Sequence, residues 1–406
     1  MRKNSLLIFL NCFFLVVSCE KHPSDVKPNI IYVLADDLGY GDINIYNSNG
    51  KIKTPNIDQL ASEGIMFTDA HTSSSVCTPT RYGILTGRYN WRSKLKKSVL
   101  GGTSKALIPE DRTTVGSLLK NNGYETAFIG KWHLGGTAKY NPIRRGFDEF
   151  FGFLHEGHYF VPPPYKGVTT WLRRKVLPGG GEGLWISQDK KRLYTTHMGN
   201  TEPDYDADNP IYHDGQPVQE TEYLTDAITR ESVSFIERHA DKPFFLFVPY
   251  NAVHSPLQGA DAYMEKFAQI EDIQRRIFAA MLANMDDSIG AILTKLREER
   301  LEDKTLIFFI SDNGGPTREL TSSNLPLRDG KGSVYEGGNR VPFLVQWKGQ
   351  LPANRVYENP VISLDIFATA AALSNAQLDE RKVYDGVNLI PFLKGEKNSR
   401  PHNTLF

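Results

Sequence analysis

Cys77 is the one thiol beyond the first twenty residues, and it sits in the run Ser75-Val76-Cys77-Thr78-Pro79-Thr80-Arg81. If Pro79 opens a helix, Cys77 lies at its N-terminal edge with Arg81 about one turn further on. An anion placed there would meet backbone N–H groups and a guanidinium together. Other reactive side chains follow apolar runs. Asp36 and Asp37 follow Ile30–Leu34, and Lys131 and His133 follow Ala127–Ile129. Asn251 and His254 follow Phe244–Val248, and Asp312 and Asn313 follow Leu306–Ile310. In open parallel sheets, ligands bind outside the carboxyl ends of the strands, so these four ends are expected to converge on one crevice.

The chemistry of that set is coherent. Asp36, Asp37, Asp312 and Asn313 offer only oxygen ligands, which favours a hard cation, Ca²⁺ or less readily Mg²⁺, over zinc. Arg81, Lys131 and Lys331 add fixed positive charge. One divalent cation and these three groups, set against three aspartates, leave a surplus of two positive charges. A site so balanced suits a small oxyanion ester.

The elements that must position these residues read as an α/β alternation. Asn29–Leu34, Thr126–Gly130, Phe244–Val248 and Thr305–Ile310 are near-continuous apolar runs, as expected of strands buried on both faces. Helices are expected over about 54–64, 113–120, 221–239 and 271–299; in the last, Ile273, Ile277, Phe278, Met281 and Met285 recur at helical spacing. The expected architecture is a mostly parallel sheet covered on both faces. Residues 152–220, rich in Pro, Gly, aromatics and charge, read as an irregular insertion with room for a small hairpin.

Lys+Arg and Asp+Glu both number 47 in the 406 residues, so nothing global favours nucleic acid or an anionic surface. Arg2 and Lys3 followed by the apolar stretch Leu6–Val17 read as a signal peptide over residues 1–18. Val16-Val17-Ser18-Cys19 resembles a bacterial lipobox, which implies a lipid on Cys19 and residues 19–27 as a tether. The expectation is an exported, periplasmic or cell-surface lipoprotein. No later segment reads as long and apolar enough to span a bilayer.

Cys77-Thr78-Pro79-Thr80-Arg81 resembles the C-x-P-x-R signature of type I sulfatases, and Leu85-Thr86-Gly87 extends it. Further blocks similar to that family occur in order: Asn29 to Gly41, Gly130 to Gly135, His254-Ser255-Pro256, Ser311 to Gly314, and Gly330 to Gly338. The resemblance implies an alkaline-phosphatase-like catalytic domain over 28–395, followed from 396 to 406 by the start of a small antiparallel C-terminal subdomain that is otherwise missing. It implies that a maturation enzyme oxidises Cys77 to Cα-formylglycine, whose hydrate attacks the ester sulfur. By the same resemblance Asp36, Asp37, Asp312 and Asn313, with residue 77, would hold Ca²⁺. Arg81 and Lys131 would fix the hydrate and sulfate, and His133 would take a proton. His254 and Lys331 would bind sulfate and protonate the leaving oxygen. The implied substrate is a sulfated glycan or aryl sulfate.

Two other readings stand beside this one. A phosphatase or phosphodiesterase of the same superfamily would use Ser or Thr and two transition metals. A non-catalytic relative would only bind glycan. His155, His158, Tyr159 and Trp171 read equally as cleft lining or as a packed surface loop. Asp286 and Asp287 read as structural.

Overall fold

The computed structural model describes residues 27–406. The expected signal peptide, Cys19 and nearly all of the tether lie outside the described residues.

The apolar runs become the centre of a ten-stranded sheet. Five strands lie parallel in the order Glu149–Phe153, Glu125–Lys131, Phe244–Pro249, Asn29–Ala35 and Thr305–Ser311. Phe343–Gln346 then pairs antiparallel with Thr305–Ser311, and the short strands Ile65–Phe67 and Arg355–Tyr357 complete that edge. At the opposite edge the hairpin Ile211–His213 and Gln216–Val218 is added antiparallel.

Both faces are covered, which explains why the strands read as continuous rather than alternating hydrophobic runs. Ile31 and Val33 face one core with the helices Pro55–Ser62, Leu224–Arg238 and Ile273–Glu298. Ile30, Tyr32 and Leu34 face the other with Cys77–Thr86, Val115–Lys120 and Asp365–Leu373. Side chains alternate across a strand, so one strand feeds both layers. Removing a ring such as Phe247, buried in the second layer, costs about 3–5 kcal/mol.

Three expectations are corrected. Ile273–Glu298 does have the length and hydropathy of a membrane span, but it is a core helix, largely buried between the sheet and its neighbours. Residues 152–220 are more regular than expected. They end one parallel strand, supply the edge hairpin, and give three strands of a second sheet, ordered Leu257–Ala260, Val168–Arg173, Arg192–Thr195 and Leu184–Ile186. These strands are short and partly exposed, so no long apolar run announces them. The helix at Cys77 begins at Cys77 itself, with Pro79 its third residue. Proline is tolerated there because the first helical N–H groups have no partner inside the helix.

The last residues pack back onto the preceding fold. His402 contacts both carboxylate oxygens of Asp365 at 2.8 and 2.9 Å, and the Phe406 N–H donates to the Tyr89 hydroxyl at 3.1 Å. Among the described residues there is no four-stranded antiparallel C-terminal sheet.

Candidate active site

The four strand ends converge as expected. Asp36 and Asp37 leave Asn29–Ala35, and Asp312 and Asn313 leave the adjacent Thr305–Ser311. The Asp312 N–H donates to the Ala35 carbonyl at 3.0 Å, and the Asp37 N–H donates to Asp312 Oδ1 at 3.2 Å. On the other side, the Asp36 N–H donates to the Ala252 carbonyl and the Val253 N–H to the Asp36 carbonyl, at 2.9 and 2.8 Å. The turns after three strands are thus stitched together by their own backbones.

Close glycine contacts bring in the last strand end and the Lys331 loop. Gly130 has φ +140°, and a Cβ there would lie 2.0 Å from the Pro249 carbonyl oxygen, so only glycine lets Lys131 approach this closely. A Cβ on Gly314 would lie 1.7 Å from the Gly337 carbonyl oxygen, so that glycine lets the loop bearing Lys331 pack on the Asp312–Asn313 turn. The Gly332 N–H then donates to the Ser75 carbonyl at 2.8 Å, tying the same loop to the segment before Cys77.

At the centre, Asp36, Asp37, Cys77 and Asp312 each present a ligand atom within 4.8 Å of one another. All four are buried. Lys131 Nζ donates to Asp36 Oδ2 at 2.5 Å, and Lys331 Nζ donates to Asp37 Oδ2 at 2.7 Å. Arg81 donates through Nε to Asp312 Oδ2 at 3.0 Å and through Nη1 to the Lys131 carbonyl at 3.0 Å. Its Nη2 lies 2.8 Å from Asp312 Oδ2 and 3.5 Å from Asp36 Oδ2. Three cations therefore offset three carboxylates in the protein alone, which meets the requirement that buried charges be paired.

The electrostatics separate the groups. Burial raises the Asp37 carboxyl, but Lys331 and His254 overcome it and hold it at about 2. Burial and the neighbouring Asp36 push Asp312 to about 6 against the pull of Arg81. Lys331 stays well above its ordinary value because Asp37 outweighs the burial that would lower it. Burial pushes the Cys77 thiol far up, with Lys331 and Lys131 opposing. A thiol so placed stays protonated near neutrality and makes a poor nucleophile.

Both histidines are pushed toward the neutral form. Burial and Lys131 hold His133 well below its ordinary value, and burial with Lys131 and Lys331 brings His254 to about 3. His133 donates through Nε2 to the Leu100 carbonyl at 3.0 Å, which leaves Nδ1 buried with a free lone pair. His254 donates through Nδ1 to the Ser255 carbonyl at 2.7 Å, so Nε2, 3.6 Å from Asp37 Oδ2, is the atom that can gain a proton. Asp37 and His133 both have positive φ, +63° and +55°. Non-glycine residues held there store backbone strain of about 1–3 kcal/mol each, a feature concentrated at active sites.

The residues fit a hard cation. Asn313 donates through Nδ2 to Asp37 Oδ1 at 2.7 Å, so its Oδ1 is buried without a partner beside three carboxylates. An all-oxygen set with an orphaned carbonyl is the donor chemistry of Ca²⁺ or Mg²⁺.

The insertion residues separate. Trp171 packs into the main core and does not line a cleft, because strand alternation turns it toward the helix side. Tyr159 is buried in a small aromatic cluster with Leu172 and Tyr205. His158 is buried against the Tyr159 carbonyl, and His155 contacts the Gly136 carbonyl at 3.0 Å. Asp286 caps the helix Pro55–Ser62, accepting from the Asn56 and Ile57 N–H groups at 3.1 and 2.8 Å. Sequence reasoning missed Arg173, Glu202, Tyr205 and Glu319. Arg173 joins Glu202 and Glu319, and Glu319 accepts from Ser255 Oγ at 3.2 Å, one residue from His254. No local pattern marks residues that meet only through the fold.

A doubly covered sheet with buried carboxylates and fixed cations at its strand ends defines an alkaline-phosphatase-like hydrolase of anionic esters. A family model, Sulfatase, matches residues 28–376, and the chain belongs to that family as a type I sulfatase, a sulfuric ester hydrolase. It is 33% identical over 443 aligned positions to human steryl-sulfatase, covering 98% of this chain and 74% of that one. Among solved structures it resembles Ps i-CgsB in complex with k-i-k-neocarrahexaose, with TM-score 0.78, 37% identity, and coverage of 93% of this chain and 78% of that one. It also resembles the PsFucS1 sulfatase from Pseudoalteromonas sp., with TM-score 0.71, 28% identity, and coverage of 91% and 72%.

Proposed function

We propose that this protein hydrolyses sulfate esters on a sulfated glycan, with residue 77 as the reacting group and a bound Ca²⁺. The observation that carries this reading is the enclosure of Cys77 by Asp36, Asp37 and Asp312, with Arg81, Lys131 and Lys331 fixed on those carboxylates. Asp36, Asp37, Asp312 and Asn313 would hold the cation, which supplies positive charge to polarise sulfate oxygen and acidify a bound hydroxyl. Cys77 is the precursor of a Cα-formylglycine, which supplies a hydrated aldehyde as nucleophile.

The chain's own groups divide the remaining work. Arg81, Lys131 and Lys331 counter the charge of the sulfate, and their carboxylate partners set their positions before substrate arrives. The buried Nδ1 of His133 is a free base that accepts a proton from residue 77. Lys331 is the group that holds a proton against neutrality, so it protonates the leaving oxygen. His254 Nε2 gains basicity when an anion enters beside it and shares that task. With the cation counted, the surplus of two positive charges suits a small anionic ester.

The glycan assignment draws on Ps i-CgsB, whose structure holds a neocarrahexaose, and on PsFucS1. Export and a lipid on Cys19 would place the enzyme where polymeric glycans are met. The decisive experiment is mass spectrometry of the tryptic peptide containing residue 77, paired with sulfate release from defined sulfated oligosaccharides. A peptide bearing an intact thiol throughout a protein that releases sulfate sinks the formylglycine assignment. An aldehyde-bearing protein that releases sulfate only from aryl or steryl sulfates sinks the glycan assignment.

A further inference from the structure

The His254 imidazole is held at one point. It makes a single hydrogen bond among the described residues, from Nδ1 to the Ser255 carbonyl at 2.7 Å. That bond leaves Nε2 on the side of Asp37, 3.6 Å from Oδ2. Which ring nitrogen carries the proton is set by the hydrogen bond the other makes, so the place of this carbonyl decides both tautomer and aim. The Ser255 peptide has little backbone support of its own. Its N–H makes no hydrogen bond among the described residues, and Pro256 has no N–H to give.

The Ser255 side chain is held instead, by a closed ring of five residues from four segments. Ser255 Oγ donates to Glu319 Oε1 at 3.2 Å and lies 3.1 Å from the Tyr205 hydroxyl. Tyr205 donates to Glu202 Oε1 at 2.9 Å. Arg173 donates through Nε to Glu202, and its Nη1 lies 2.6 Å from Glu319 Oε1, which closes the ring. Neither carboxylate has a second cation within ion-pair distance among the described residues, so both depend on Arg173. Asn209 steadies the tyrosine, donating to the Tyr205 and Gly157 carbonyls at 3.0 and 2.9 Å. A Cβ on Gly157 would lie 2.7 Å from the Tyr205 ring and 3.3 Å from the Ser255 carbonyl oxygen, so glycine lets the two meet.

We infer that Arg173, Glu202, Tyr205 and Glu319 are positioning residues: through Ser255 they keep the His254 imidazole in its Nδ1–H tautomer, with Nε2 aimed at the leaving oxygen. A connected polar network rigidifies what it touches, and a proton-transfer group must be placed to within about 0.5 Å. The inference rests on the role of His254 proposed above.

The test is NMR of the full protein carrying isotope-labelled histidine, with the His254 signals assigned by their loss in His254→Gln. The parent is expected to show a protected proton on His254 Nδ1. In Tyr205→Phe and Glu319→Ala that proton should exchange with water at least about tenfold faster, and an Nε2–H signal should appear. Glu319→Gln keeps an acceptor for Ser255 and should restore the parental spectrum. Sulfate release from para-nitrophenyl sulfate and from ι-carrageenan, fucoidan and chondroitin sulfate oligosaccharides gives the second readout. On the oligosaccharide the parent turns over, Tyr205→Phe and Glu319→Ala should lower kcat about tenfold with KM within about twofold. The loss should be smaller on the nitrophenyl ester, whose leaving oxygen needs no proton. In a His254→Ala background the same substitutions should cost less than about twofold, because both act along one path.

Parental His254 signals in both variants overturn the inference, and so does a fully additive cost in the His254→Ala background. A Glu319→Gln protein that behaves like Glu319→Ala also overturns it, because charge rather than position is then the cause. Glu319 keeps 22% of its side chain exposed, so its variants should fold. Should Glu319→Ala fail to fold, Tyr205→Phe, which keeps the ring and its packing, decides alone. Failure of the His254 role shows separately, as a His254→Ala protein with parental turnover or a parent that releases no sulfate, and the NMR comparison then still decides the positioning.

Discussion

Buried carboxylates occur at two kinds of place in this molecule, and they are satisfied in different ways. Asp286 and Asp365 each accept from two backbone N–H groups, and Asp365 also meets His402. Asp286 takes Asn56 and Ile57, and Asp365 takes Ile362 and Val387 at 2.9 and 2.8 Å. Asp36, Asp37 and Asp312 instead rest chiefly on side-chain cations that come from other parts of the chain, and they lie close enough to repel one another. Beside them Asn313 Oδ1 and His133 Nδ1 are buried without partners. At Asp286 and Asp365 the carboxylate oxygens are taken up by hydrogen-bond donors that hold structure. The strand-end cluster is neutral in sum but carries unused donors and acceptors, the condition of a site arranged for something else.

The sharpest way to break this comparison is Cys77→Ala. Turnover of a sulfated oligosaccharide should fall by at least about a thousandfold, the scale of losing a covalent nucleophile, while the melting temperature moves little. Cys77→Ser should fail similarly in sulfate-release assays. A Cys77→Ala protein with parental turnover would falsify the proposed role of residue 77.

Lys331→Ala comes next. Its side chain is partly exposed, so the variant should fold, yet turnover should fall by about a hundredfold or more through loss of one charge at the leaving oxygen. The loss should appear in kcat as well as KM, and it should shrink for substrates with acidic leaving groups that need no proton. A uniform loss across leaving groups would assign Lys331 to sulfate binding alone.

Asp286→Ala should behave in the opposite sense. It removes the acceptor of two backbone N–H groups at the start of Pro55–Ser62 and should cost about 1–3 kcal/mol of stability by chemical denaturation. Turnover per folded molecule should be unchanged. A catalytic defect here would erase the distinction between the two kinds of carboxylate.

The central sheet and the converging strand ends were legible in the sequence, because strands buried on both faces must be continuous apolar runs and must stop at polar residues. Asp36, Asp37, Asp312 and Asn313 announced themselves in this way. The strand Glu149–Phe153 did not: it is short and merges into a stretch of glycines, prolines and aromatics. The second sheet was hidden for a related reason. Its strands are three to six residues long, and Trp171 and Leu172 belong to opposite faces, which composition alone does not resolve. Arg173, Glu202 and Glu319 come from three separate segments, and only the folded chain brings them to Ser255, beside His254.

The last effect concerns the cation and pH, and it is read in stability rather than turnover. If Ca²⁺ sits on Asp36, Asp37, Asp312 and Asn313, adding it at about a hundred times its Kd should stabilise the protein by about 2.7 kcal/mol, seen as a raised melting temperature. Protons compete for the same oxygens. Asp312, pushed to about 6 by burial and Asp36, is the first of these groups to take a proton as pH falls. Its folded pKa lies above the ordinary carboxylate value, so without Ca²⁺ its contribution to stability is present at low pH and is lost as pH rises from about 4 to about 6. Asp37, held at about 2, acts in the opposite direction and below that window. The calcium-induced rise should therefore be full well above pH 6 and fade as pH falls through about 6. Asp312→Asn should abolish both the rise and its pH dependence, whereas an unchanged calcium response in that variant would move the cation elsewhere. Asp286→Ala, on the same titration, should keep the parental response, since its carboxylate serves a helix end and not the strand-end cluster.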